Sequence, residues 1–195
     1  MDQTQQKALN ALEPFILLSK SANSPRAAAD LVTQATSAPN TFVFAELLQT
    51  PNIQSLQTAS SEYSPYLTLL QIFAWGTWSD YTSTPNLPKF SEPQQLKLRQ
   101  LSLLTLATTP SNLTYVHLQD ALDLPTTRAL EDLVISTIYA GLLNAKLDTL
   151  SQRVDVSSVA PLRDLKPGSI PQMEESYGGE EKGGEPRESG RESDE

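Results

Sequence analysis

No cysteine occurs in this chain of 195 residues, and histidine occurs once, at His117. Those two gaps exclude disulfides, thiol nucleophiles and Cys/His zinc sites together. They also exclude a zinc isopeptidase or protease, because one imidazole cannot supply the two-histidine first shell such a site needs. No nucleophile–base pair and no phosphate-cradling glycine loop is present either, and His117 beside Asp120 reads as a surface pair on a short helix. No catalytic residue, metal ligand or cofactor-binding residue is therefore assigned, and no small-molecule substrate is expected. No stretch approaches the roughly 20 apolar residues that span a bilayer, and the opening MDQTQQKALNALEPF has no basic n-region. The expectation is a soluble intracellular chain without membrane contact. On that expectation, the glycosylation sequon Asn112-Leu113-Thr114 is a chance match.

What the chain does have is acid, unevenly placed. The net charge is −9, and residues 174–195, with nine acids and three bases, carry −6 of it. Five of the eight glycines fall in that same tail. A segment so poor in apolar side chains cannot offset its ordering entropy, so a disordered acidic tail is expected.

Before the tail, apolar spacing is helical almost throughout. Leu9, Leu12, Phe15, Ile16 and Leu18 make one stripe over residues 3–20. Ser24 then caps a helix with Pro25 in its first turn, running to about residue 35. Residues 42–48 and 53–56 read as two short helices separated by Pro51. Pro65 opens the segment YLTLLQIFAWGTW, whose Leu67, Leu70, Phe73 and Ala74 suit a buried helix that Gly76 ends. Its aromatics, with Tyr63, Trp78 and Tyr81, read as core packing and not as a ligand cage. A polar, proline-bearing loop is expected over 80–88. This succession of short helices is the pattern of an α-solenoid.

From residue 91 the pattern changes. Ser91-Glu92-Pro93 starts a helix carrying Leu98, Leu101, Leu104 and Leu106, and Pro110 stops it. Leu113 to Tyr115 reads as a brief strand and Val116 to Leu122 as a short helix. Thr126 or Thr127 caps a third helix with Leu130, Leu133, Val134, Ile138 and Leu142 on one face. Polar and apolar residues then alternate in Lys146-Leu147-Asp148 and in Arg153-Val154-Asp155-Val156, around a turn at 149–152, as in a β-hairpin. Helix, short strand, helix, helix, hairpin is the order of a winged helix.

Many winged helices read DNA through the third helix, which requires clustered cations against phosphates. Here that helix offers Arg128 against Glu131 and Asp132, while Asp148 and Asp155 cancel Lys146 and Arg153 in the wing. No nucleic-acid partner is expected. Contacts with proteins, through an open hairpin edge, are the better expectation.

Helical repeats feeding a winged helix resemble the PCI domain, which is shared by the proteasome lid, the COP9 signalosome and a translation initiation complex. The strings Phe73-Ala74-Trp75-Gly76-Thr77-Trp78-Ser79-Asp80-Tyr81, Lys97-Leu98-Arg99-Gln100-Leu101 and Leu130-Glu131-Asp132-Leu133-Val134-Ile135, with Lys146-Leu147-Asp148 and Arg163-Asp164, are similar to the signalosome subunit 7 family over about residues 63–165. The resemblance implies a mainly α fold: a helical-repeat part over 1–108, a winged helix over 109–160, and a linker and acidic tail over 161–195. It further implies a non-catalytic scaffold in cytoplasm and nucleus, whose partners are other signalosome subunits, chiefly neighbouring PCI subunits, in the complex that removes Nedd8 from cullins. The alternatives are a PCI subunit of the other two assemblies or a nucleic-acid-binding winged helix. Lys146, Leu147, Asp148, Arg153, Val154, Asp155 and Val156 are the expected protein interface, with closure of the module's own core as the competing role for Leu147, Val154 and Val156. The family's long C-terminal helix is expected to be missing, since the chain turns acidic and glycine-rich after Met173.

Overall fold

A computed structural model describes residues 3–164 and residue 166. The tail expected to be disordered, and the place of the family's C-terminal helix, lie outside the described residues. Nine α-helices and one two-stranded antiparallel sheet make up the described fold. Helices α1 (Gln3–Ser19), α2 (Pro25–Ser37), α3 (Ala45–Leu48), α4 (Pro51–Gln54) and α5 (Ser64–Trp75) form the repeat part, with a 3-10 turn over Ser55–Thr58. Ser24 caps α2 through Ala27 N, and Pro25 occupies its first turn, where a missing N–H costs nothing. Helix α5 is apolar nearly all round, as a helix packed on several sides must be, and Leu69, Leu70 and Phe73 have essentially no exposure.

The loop expected at 80–88 is in part a helix. Helix α6 (Trp78–Ser83) starts at a capping box in which the Thr77 hydroxyl accepts from Asp80 N and the Asp80 carboxylate accepts from Thr77 N at 2.7 Å. Phe90, beyond this turn, sits at the centre of the aromatic cluster. Tyr81 stacks on it at 3.8 Å, and Phe73 and Trp78 pack against it at 5.3 and 6.5 Å between centroids. Packing among themselves, these rings leave no room for a ligand cage.

Helix α7 (Glu92–Leu106) leads to the winged helix: α8 (Tyr115–Leu122), α9 (Thr127–Tyr139), β1 (Leu143–Asp148) and β2 (Arg153–Val159). The brief strand expected at 113–115 shrinks to a single bridge, Thr114 with Arg153, because Tyr115 already begins α8 under a Thr114 cap. Leu142, expected on the third helix, lies past its end. Gly141, at φ 73°, turns the chain there in a conformation that side-chain-bearing residues rarely adopt. The hairpin is longer than expected, and it carries a register shift between Asn144 and Ala145.

Candidate protein interface

Helix α7 is the joint between the two parts, and its polar residues make it so. The buried Lys97 ammonium donates to the carbonyls of Ala35 and Ala38 at the end of α2, below the rings of Phe42 and Phe44 at 5.7 and 5.8 Å. It thus satisfies carbonyls that a helix C-terminus leaves without an intrahelical partner. Burial pushes its pKa down to about 7. Gln94 accepts from Ser91 N as the helix-start cap, and its amide donates to Thr36 of α2 at 2.8 Å. On the other side, Arg99 donates to the carbonyls of Leu122 and Asp123, both at 3.0 Å, with its guanidinium 4.1 Å over the Trp78 ring. Asp123, at φ 50°, is the left-handed residue that ends α8. Gln100 donates to Ser136 of α9 at 3.1 Å, and Ser102 accepts from Trp78 N at 2.8 Å. One helix therefore caps, or hydrogen-bonds to, parts of α2, α6, α8 and α9.

A second tie follows the wing. The segment expected to begin a linker at residue 161 is packed as far as Asp164. Leu162 is buried, and Pro161 O accepts from Gln5 of α1 at 3.1 Å. Arg163 donates to Phe73 O at 3.0 Å and to Gly76 O, closing the end of α5. Gly76 itself is required by a close approach, since a Cβ there would lie 2.8 Å from Ile72 Cα. Asp164 accepts from Phe44 N at 2.9 Å and Ala45 N at 3.0 Å, capping α3 from a distant part of the chain. Desolvation raises the Asp164 pKa and lowers that of Arg163 to about 10.

The hairpin divides into two sets of residues. Val154 has no exposed surface, and Leu147 opposite it is half-buried, as is Val156 opposite Ala145. These three line the module's inner face, and Val154 in particular closes its core. Lys146 and Asp155 are cross-strand partners with both side chains exposed. Asp148 accepts from Leu150 N and Ser151 N at 3.1 and 3.0 Å across the turn, and these donors hold its carboxyl below the usual range. Arg153 is exposed and reaches Pro110 O at 3.5 Å. Leu113 O and Tyr115 N bond to Val154 N and Gln152 O, so the outer side of β2 is covered at that end. Strand β1 pairs with β2 on one side and, among the described residues, with no strand on the other.

The third helix presents Arg128 and Asp132 to solvent as a weak pair at 3.9 Å, followed by exposed Ile135 and Tyr139. His117 and Asp120 are both exposed on α8. Among the described residues no group of three potential metal ligands gathers, and no helix is long and apolar enough to cross a membrane.

Short helical pairs locked by one long helix onto a winged helix define a PCI domain, and the PCI domain model matches residues 76–158. Upstream, the model of the CSN7 helical bundle subdomain matches residues 13–45. The chain is 55% identical over 186 residues to the COP9 signalosome complex subunit 7a of Neurospora crassa, an alignment covering 85% of this chain and 44% of that one. It is 52% identical over 179 residues to the COP9 signalosome complex subunit 7 of Emericella nidulans, covering 89% and 55%. With the subunit 7 of Arabidopsis thaliana the identity is 39% over 171 residues, covering 87% and 64%. The chain belongs to the COP9 signalosome subunit 7 family, and it spans about half the length of the first two of these relatives.

Reading the sequence found the winged helix and the hairpin but not the joint. Gln94, Lys97, Gln100 and Ser102 look like the outer face of an amphipathic helix until the carbonyls they meet are known. One signal was legible, the Ser91–Gln94 capping box. Arg163-Asp164 belongs to the strings that carry the family resemblance, but nothing in its spacing points to the carbonyls of α5 and the start of α3 that it ties together.

Proposed function

We propose that this chain is a non-catalytic scaffold subunit of a COP9 signalosome, joined to neighbouring PCI subunits through the sheet edge of its winged helix. The observation that carries the reading is the outer edge of β1, which has backbone groups facing no strand among the described residues. Such an edge accepts an added strand readily, unless it is guarded. The guards here are slight: Lys146 and Asn144 are exposed along it, and no proline interrupts it. The reaction served, removal of Nedd8 from cullins, would then belong to another subunit, because this chain has one histidine and no cysteine. On this reading the third helix is not a reader of nucleic acid, since Arg128 is its one cation and stands beside the acids Glu131 and Asp132.

The test is recovery of signalosome subunits with the tagged full chain from cells. Asn144→Glu with Lys146→Glu places two carboxylates on the exposed face of β1 and should reduce recovery of a PCI neighbour at least fivefold, with the circular dichroism unchanged. Undiminished recovery would remove the edge from the assembly. Recovery of no signalosome subunit by the unaltered chain would remove the scaffold reading altogether.

A further inference from the structure

Away from the hairpin, residues of α7 and α9, with Leu124 from the loop before α9, line an open groove of about 510 Å³. Its floor is apolar, made by Leu96, Leu124, Ala129 and Leu133, with Leu96 46% exposed although it is a large apolar side chain. A carboxylate stands on each wall, Glu92 on α7 and Asp132 on α9, both exposed. The cation within the groove, Arg99, is held by Leu122 O, Asp123 O and the Trp78 ring, and its charge is faced by the Asp123 carboxylate, which leaves Glu92 and Asp132 less compensated. Arg128 approaches Asp132 only at 3.9 Å, with both side chains largely in solvent, so it neutralises that carboxylate weakly. The groove lies between α7 and the third helix and includes none of the hairpin residues.

We infer that this groove is a second docking surface, for an amphipathic segment of a partner protein that inserts an apolar side chain over Leu96 and Leu133 and sets a Lys or Arg toward each wall. Charge complementarity selects that occupant. A segment with acids beside its anchor would face Glu92 and Asp132 unfavourably, and the chain's own residues 174–195, at net −6, carry the wrong sign. The apolar floor requires an anchor, since a polar segment would strip water from Leu96 and Leu124 without replacing it by packing. The groove would thus add a side-chain-specific contact to the backbone contact proposed for β1.

The experiment uses the full chain and three fluorescent peptides of one length: a helical Leu/Lys peptide with cations flanking its apolar face, the same peptide with Glu for Lys, and the same with Ser for Leu. The Leu/Lys peptide should bind at least tenfold more tightly than either of the others. Glu92→Lys with Asp132→Lys should weaken it at least tenfold, while Asp30→Lys with Glu62→Lys, an equal change of net charge at exposed sites elsewhere, should weaken it less than twofold at physiological salt. Equal losses in the two double variants would mean that net charge alone attracts the peptide, and would overturn the proposal. So would binding that survives Glu92→Lys with Asp132→Lys. Sedimentation of the chain alone supplies the last arm: a larger species that the groove variant dissociates would assign the groove to a second copy and overturn the partner proposed here.

Discussion

Helix α7 and strand β1 both set polar residues among leucines, yet the two treat those residues in opposite ways. On α7, Gln94, Lys97, Gln100 and Ser102 are buried, and each has a hydrogen-bond partner on another element. On β1, Asn144 and Lys146 are exposed, and the strand they belong to has a neighbour on one side only among the described residues. Burial makes the first set structural, because a polar group removed from water is costly unless it is paired. Exposure leaves the second set available to a partner. Substitutions should therefore separate cleanly, those inside the joint and core changing stability and those on the edge changing association.

The sharpest way to break that contrast lies within the hairpin itself. Val154 was expected as an interface residue with a competing core role, and it has no exposed surface. Val154→Asp should cost about 4 kcal/mol or more by burying an unpaired carboxylate, enough to unfold the winged helix. Urea denaturation followed by circular dichroism checks this. A loss of partner binding with native stability would return Val154 to the interface. Next in size is Arg163→Ala, which leaves Phe73 O and Gly76 O without their donor and strands Asp164 without its neighbouring charge. The expected loss is about 2 kcal/mol, read from the urea midpoint. A loss below about 0.5 kcal/mol would show that the segment after the wing only rests on the repeat part.

Lys97 gives the joint a pH dependence. Its pKa is about 7 in the fold against an ordinary 10.5, so between those values the unfolded chain holds the proton more firmly. Stability should consequently rise as pH increases from 7 toward 9.5. Tyr115, whose phenol is pushed up by burial and by Glu131, begins to act in the opposite sense only near pH 10. Lys97→Met removes the titrating group, and its urea midpoint should stay flat over the same interval. A parallel rise in the variant would place the effect elsewhere.

How far the sequence could be read follows the same division. Periodicity located the core helices, because Leu98, Leu101 and Leu104 fall at helical spacing and do face inward. Alternation located the hairpin, because a period of two has few other readings. The capping box at Thr77 and Asp80 is written in the sequence, but it stands in a polar run after Gly76 that reads as a loop, and this hides α6. The roles of Lys97 and Arg163 were not legible at all. A cation that binds carbonyls at the end of another helix is specified by tertiary geometry, and its own neighbours in sequence say nothing about which helix that is.

The smallest expected effect on stability is also the most decisive for the contrast. In Asn144→Glu with Lys146→Glu, the new Glu at 146 stands directly opposite Asp155, in place of an exposed cross-strand pair of unlike charge. Like charges so placed cost roughly 0.2–1 kcal/mol, and salt screens them further. The urea midpoint should therefore barely move, while recovery of a PCI neighbour falls. A large fall in stability would mean that the exposed face of β1 supports the fold as the polar residues of α7 do, and the two elements would no longer differ in kind. A small fall with lost recovery would locate association in a strand whose polar side chains contribute little to folding, which is what a surface reserved for another subunit requires.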